Sequence, residues 1–162
     1  MDNKEIVHEN LVFEAGGVKG VAYFGAILEL DRMGKLPNFK RFAGTSSGSI
    51  FATMMAIGFT GEELFGWKDV LSYSKASIKC YGWALLSLFK RFGMKGVSVV
   101  TDQVRTKMSE KVDPDITFKE LYELTGNELV IVVCNVNRRK PLYLHHGAFP
   151  NAKVIDAIGC SV

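Results

Sequence analysis

Apolar residues fall in short runs separated by glycines and polar clusters, and the spacing inside each run sorts it as strand or helix. Asn10 to Glu14 (NLVFE) is a brief apolar run that ends on glycines, which predicts a buried strand. Val21, Phe24, Ala26, Ile27, Leu28 and Leu30 then recur at helical spacing, predicting a helix from about Val18 to Met33 that stops at Gly34. A second strand is expected over Phe39 to Ala43, entered after Pro37. It runs into Gly44-Thr45-Ser46-Ser47-Gly48 and then a buried helix over Ile50 to Ile57. The order strand, glycine turn, helix therefore occurs twice.

Gly58 ends that helix, and Thr60 with Glu63 forms a capping box that opens another over about Gly61 to Tyr73. Residues 75 to 98 are aromatic-rich and weakly periodic, interrupted by Gly82, Gly93 and Gly96, and read as helical. Helices are expected over Thr101 to Lys111 and Thr117 to Thr125, the second capped by Thr117 with Glu120 three residues on. Glu128 to Asn135 (ELVIVVCN) is the strongest strand, continuous in β-branched residues as a strand covered on both faces by helices would be. Leu142 to His146 returns as its hairpin partner across Asn137 to Pro141, and Ala152 to Ile158 begins a last helix.

This alternation implies one α/β domain over residues 1–162: a largely parallel sheet with helices on both faces. In such sheets reactive groups gather where strands end and helices begin. Both glycine-rich turns lie at that edge.

Composition narrows the partners more than the fold. Hydrophobic residues at 48% and charged residues at 23% are ordinary globular usage, and 162 residues suffice to bury a core. The net charge of +3 is too small to imply nucleic acid. Cys80, Cys134 and Cys160 lack metal-ligand spacing and are expected to be free, mostly buried thiols, so neither metal nor cofactor is expected. Residues 1–10 lack the apolar core of a signal peptide. The longest apolar window, Cys80 to Phe89, is about half the roughly 20 residues that a membrane-spanning helix needs. The expected location is cytoplasmic or peripheral to membranes, with no transmembrane segment.

A serine hydroxyl is a weak nucleophile, and it needs exposure, an adjacent base, and donors for the negative charge that develops on the attacked carbonyl. The GxSxG spacing supplies the exposure: Gly44 and Gly48 let the chain turn sharply about Ser46, flanked by Thr45 and Ser47. The plainer reading is that Thr45, Ser46 and Ser47 only cap a helix. The first turn, Ala15-Gly16-Gly17-Val18-Lys19-Gly20, gathers backbone N–H groups at a second helix start, an anion site by geometry. Lys19 is placed to steady that loop or to meet an anionic head group.

On these residues the chain resembles the N-terminal part of a patatin-like phospholipase domain. The likeness is carried by Phe13-Glu14-Ala15-Gly16-Gly17-Val18-Lys19-Gly20, by Ala22-Tyr23-Phe24-Gly25-Ala26, and by Ala43-Gly44-Thr45-Ser46-Ser47-Gly48-Ser49-Ile50. The resemblance implies hydrolysis of lipid acyl esters at a membrane surface by a Ser-Asp dyad without histidine. Ser46 would be the nucleophile, with the amides of Gly16, Gly17 and Val18 as oxyanion donors. Two departures stand out. Ala15 replaces a glycine of the family turn, where its methyl would narrow the loop if the position needs a positive φ. No Asp-Gly-Gly or Asp-Gly-Ala motif follows either, so the 162 residues are expected to stop short of the dyad aspartate, and Asp156 is not promoted to that role.

Other features have bland readings. His8, His145 and His146 read as surface or turn residues, and Arg138, Arg139 and Lys140 as a solvated turn. Tyr81, Trp83, Phe89 and Phe92, flanked by Lys79, Lys90 and Arg91, read as a helix covering the sheet, with a membrane interface as the alternative. Two rival functions stay open: a phosphate-binding module using the same turns, and an inactive protein that keeps a lipid-binding surface.

Overall fold

The computed structural model describes residues 8–68 and 98–162. The expected helix over most of 75–98, the end of the helix expected to reach Tyr73, Cys80 and the aromatic residues Tyr81, Trp83, Phe89 and Phe92 lie outside them. Among the described residues four strands, β1 (Asn10–Phe13), β2 (Arg41–Thr45), β3 (Glu128–Asn135) and β4 (Lys140–Leu144), form one sheet in the order β1-β2-β3-β4. The first three are mutually parallel, and β4 returns antiparallel to β3 as the hairpin. Among the described residues six α-helices accompany the strands: α1 (Ala22–Arg32), α2 (Ser47–Ile57), α3 (Gly61–Trp67), α4 (Ser98–Met108), α5 (Phe118–Thr125) and α6 (Val154–Ser161).

Local chemistry explains the boundaries. The first helix begins as a 3₁₀ turn, Gly17–Val21, because Gly17 sits at φ +52, outside helical backbone. It ends where expected: Gly34 takes φ +66, its N–H donates to Asp31 O at 2.8 Å, and Lys35 N–H donates to Leu30 O at 2.9 Å. β2 runs two residues later than expected, since a short 3₁₀ turn, Leu36–Asn38, follows the Pro37 signal. Both predicted capping boxes form, with Thr60 and Thr117 accepting the N–H of Glu63 and Glu120. The last helix starts two residues late because Lys153 is bridged to Thr117.

Every residue of α2 is buried, as an all-round apolar helix laid across a sheet should be. It packs on the sheet face that carries Leu11, Phe13, Phe42, Leu129 and Ile131. The alternate positions face outward: Val12 is 70% and Tyr143 54% exposed, and Val130 and Val132 are half-buried. Cys134 lies on that outer face and Cys160 on the open side of α6. Both thiols are therefore exposed, contrary to the expectation of burial.

Phe51 is the centre of an aromatic cluster. Its ring lies 4.9 Å from that of Phe24, 5.3 Å from Tyr23 and 6.2 Å from Phe13, joining α2 to α1 and β1. Truncation of Phe51 to alanine is expected to cost about 3–5 kcal/mol, read as a lower denaturant midpoint at unchanged slope.

A second prediction concerns acid. Burial of Glu63 raises its carboxyl pKa, but hydrogen bonds from Lys111 and Thr60 together with the Lys111 charge outweigh it, so the group is held below its ordinary 4.5. A carboxylate depressed by folding stabilises the native state above its unfolded pKa, and that contribution is lost as pH falls through the folded value. Urea melts between about pH 6 and pH 3 should therefore show less acid sensitivity in Glu63→Gln than in the wild type.

Candidate active site

Because β1 and β2 are adjacent and parallel, the turns that follow them lie side by side at one sheet edge. β2 ends at Thr45 and α2 begins at Ser47, leaving Ser46 as a single-residue hinge. Its backbone is at φ 51, ψ −131, a conformation costing an L-residue about 1–3 kcal/mol. Among the described residues only Arg139, in the exposed β3–β4 turn, is another non-glycine with positive φ.

The chain contains its own controls for helix capping. Thr60 and Thr117 have extended backbone (φ −80, ψ 164 and φ −84, ψ 163), and their hydroxyls accept a helix N–H. Ser46 does neither, so the simple capping reading fails for it. Ser46 is half-buried, and its hydroxyl makes no hydrogen bond to any described residue. Among the described residues Ser46 thus combines positive φ, a place at a strand-to-helix hinge and a hydroxyl without a partner.

Contact requires glycine on both sides of this hinge. A Cβ on Gly44 would stand 2.3 Å from Gly48 O, and one on Gly48 would stand 2.3 Å from Phe13 O and 2.6 Å from Glu14 O. The N-terminus of α2 thus rests directly on the end of β1, which brings the second turn against the first.

In the first turn the positive φ falls on Gly17, while Ala15 has no positive φ and its methyl is exposed. The substitution at Ala15 therefore introduces no backbone strain. Gly16 N–H donates to Ser47 Oγ at 3.0 Å, so of the three amides expected to face an oxyanion this one already has a partner. Gly20 packs beside the same serine, where a Cβ would lie 3.1 Å from Ser47 Oγ. Gly17 and Val18 open the 3₁₀ turn, a position whose N–H groups have no intrahelical acceptor. Tyr23 steadies the loop by donating to Glu14 O at 3.1 Å while its ring packs 5.1 Å from that of Phe13. An open groove of about 560 Å³ runs along the loop between Glu14, Gly17, Lys19 and Tyr23.

One contact had no local sequence signal. Ser46 N–H donates to Ser161 Oγ at 2.8 Å, and Ser161 in turn donates to Val132 O at 2.7 Å. Thr45 Oγ1 donates to the same carbonyl at 3.3 Å.

The remaining candidates stay apart from Ser46. Asp156 is exposed and five residues before Ser161, about 7.5 Å along the helix axis. His145 Nδ1 accepts from Gly147 N–H at 3.2 Å, and His146 stacks on Tyr122 at 4.0 Å. His8 lies by Arg41 beside β1, and Arg138 N–H closes the turn on Asn135 Oδ1 at 3.0 Å. Among the described residues no three His, Cys, Asp or Glu side chains converge to hold a metal. No helix of the described residues is long and apolar enough to cross a membrane.

The fold is shared with known proteins. A solved structure of ExoU, a type III effector of Pseudomonas aeruginosa, superposes with a TM-score of 0.68 at 16% identity over 96% of this chain and 39% of that one. VipD from Legionella pneumophila does so with 0.66 at 15% identity over 95% of this chain and 42% of VipD. These likenesses speak for the fold. In sequence, the Bacillus subtilis (strain 168) protein YqhO is 35% identical over 93% of this chain and 54% of its own length. A probable lipid hydrolase, 463L of Invertebrate iridescent virus 6, is 26% identical over 95% of this chain and 52% of its own. The chain spans about half the length of these curated relatives. The family model for patatin-like phospholipase matches residues 11–162, from β1 through both glycine turns to the end of α6. With strands, turns and hinge serine all inside that match, the chain belongs to the patatin-like phospholipase family.

Proposed function

We propose that this protein is a serine acyl hydrolase that cleaves acyl ester bonds of phospholipids or related lipids, with Ser46 as its nucleophile. The observation that carries the reading is the Ser46 hinge: positive φ, no capping bond, and a hydroxyl with no partner among the described residues. The name of the viral relative, a probable lipid hydrolase, supports the same substrate class.

In this reading Ser46 Oγ attacks the ester carbonyl carbon while its proton passes to a carboxylate base. The family's Ser-Asp dyad makes that base an aspartate. The carbonyl oxygen becomes an oxyanion held by the amides of Gly17 and Val18 and by Ser47 N–H at the positive end of α2. Gly16 and Gly20 serve differently, by seating the loop on Ser47. Collapse of the intermediate expels the lysolipid alcohol, which takes the proton, and leaves an acyl-serine. Water activated by the same base then releases the fatty acid and restores Ser46. Lys19, exposed beside the groove, meets the anionic part of the head group.

The test is fatty-acid release from phospholipid vesicles by the complete gene product. Release that vanishes in Ser46→Ala is the expected result. Vesicle binding without release in the wild type would instead mean a lipid-binding protein that has lost the reaction.

A further inference from the structure

A strained residue keeps its conformation only while its surroundings over-determine it. On the C-terminal side of Ser46 this is done by α2 itself: Ser49 donates to Ser46 O through both its N–H, at 2.8 Å, and its Oγ, at 2.6 Å. On the N-terminal side the constraint comes from 115 residues away, where Ser161 Oγ takes the Ser46 N–H. Ser161 is itself fixed by donating to Val132 O in β3, beside Thr45.

We infer that Ser161 is a positioning residue for the nucleophile: its hydroxyl clamps the Thr45–Ser46 peptide plane to β3 and so sets where Ser46 Oγ points. This rests on the reading of Ser46 as the nucleophile. The geometry leaves the bridge few substitutes. One group must accept from an amide and donate to a carbonyl at once, which a hydroxyl does and an aliphatic side chain does not. Without it, Ser46 N–H loses its acceptor in a half-buried site, and the plane is free to rotate towards an ordinary φ. Cβ moves with that plane, and a displacement near 1 Å at a reacting atom costs about 100-fold in rate. The bridge also takes the Ser46 amide out of contention as an oxyanion donor, leaving that task to Ser47, Gly17 and Val18.

A serine that merely fastened α6 to the sheet would show its loss in stability, and its shape would matter more than its hydroxyl. The test therefore compares Ser161→Thr with Ser161→Val in the complete gene product. These two side chains have the same shape, but only threonine retains the hydroxyl. The readouts are the second-order rate of Ser46 labelling by a fluorophosphonate, kcat and KM on a short acyl ester, and the melting temperature. The expected result is that Thr labels within about threefold of wild type and Val at least about tenfold more slowly, with the loss in kcat rather than KM. Equal labelling by Thr and Val, with wild type reactive, overturns the positioning role alone. A wild-type protein that does not label at all overturns the nucleophile reading and this role with it.

Discussion

Replacing Ser46 by glycine is expected to abolish ester hydrolysis and, at the same time, to make the protein more stable. Removing a serine nucleophile costs about 10⁴- to 10⁶-fold in turnover. The stability gain follows from the backbone. Ser46 stands at φ 51, ψ −131 at a cost of about 1–3 kcal/mol, which glycine avoids, while the extra flexibility of an unfolded glycine costs about 0.5–1 kcal/mol. The Ser46 hydroxyl makes no hydrogen bond to a described residue, so none to those residues is lost. The balance is a gain of about 1 kcal/mol, or roughly 2–4 °C in melting temperature for a domain of this size. A serine placed there for packing or capping would give the opposite sign, and differential scanning calorimetry of wild type and Ser46→Gly decides between them.

The second large effect is expected at Gly48. Glycine to alanine inside a helix ordinarily stabilises by about 0.5–1 kcal/mol, and Gly25 in α1, where an added Cβ meets nothing within 4 Å, should behave that way. Gly48 should do the reverse. Its Cβ would stand 2.3 Å from Phe13 O and 2.6 Å from Glu14 O, both backbone atoms that cannot move without parting α2 from β1. A loss of about 3 kcal/mol or more is expected, at the upper end of overpacking costs, together with separation of the two turns. Urea denaturation of Gly25→Ala and Gly48→Ala should therefore shift in opposite directions. A Gly48→Ala protein as stable as wild type would contradict the close approach on which the site depends.

Much of this is legible in the sequence wherever a local residue type has one physical use. Gly34 and Gly58 stop their helices in left-handed backbone, the Thr60 and Thr117 boxes cap theirs, and the β-branched run Glu128–Asn135 is a strand over its full predicted length. The two glycine turns were readable for the same reason, because small residues there answer to close backbone contact.

What could not be read involves long-range pairing. Ser161 reaches Ser46 across 115 residues, and nothing around Gly159-Cys160-Ser161 marks that serine apart from any other near a helix end. That Gly16 would tie the turns together by donating to Ser47 likewise depends on how α2 sits on β1. Residue type alone does not give the burial of Cys134 and Cys160, which are both exposed. Cys134 lies on the face of β3 turned away from α2, where the alternation of the strand, and not its composition, sets exposure.

Covalent capture tests the central claim most directly: treat the complete gene product with a fluorophosphonate, then locate the adduct by peptide mass mapping. The account predicts one adduct per chain, on Ser46, with none in Ser46→Ala. An adduct on another serine with Ser46 unmodified, or a folded protein that takes up no probe at all, would contradict it.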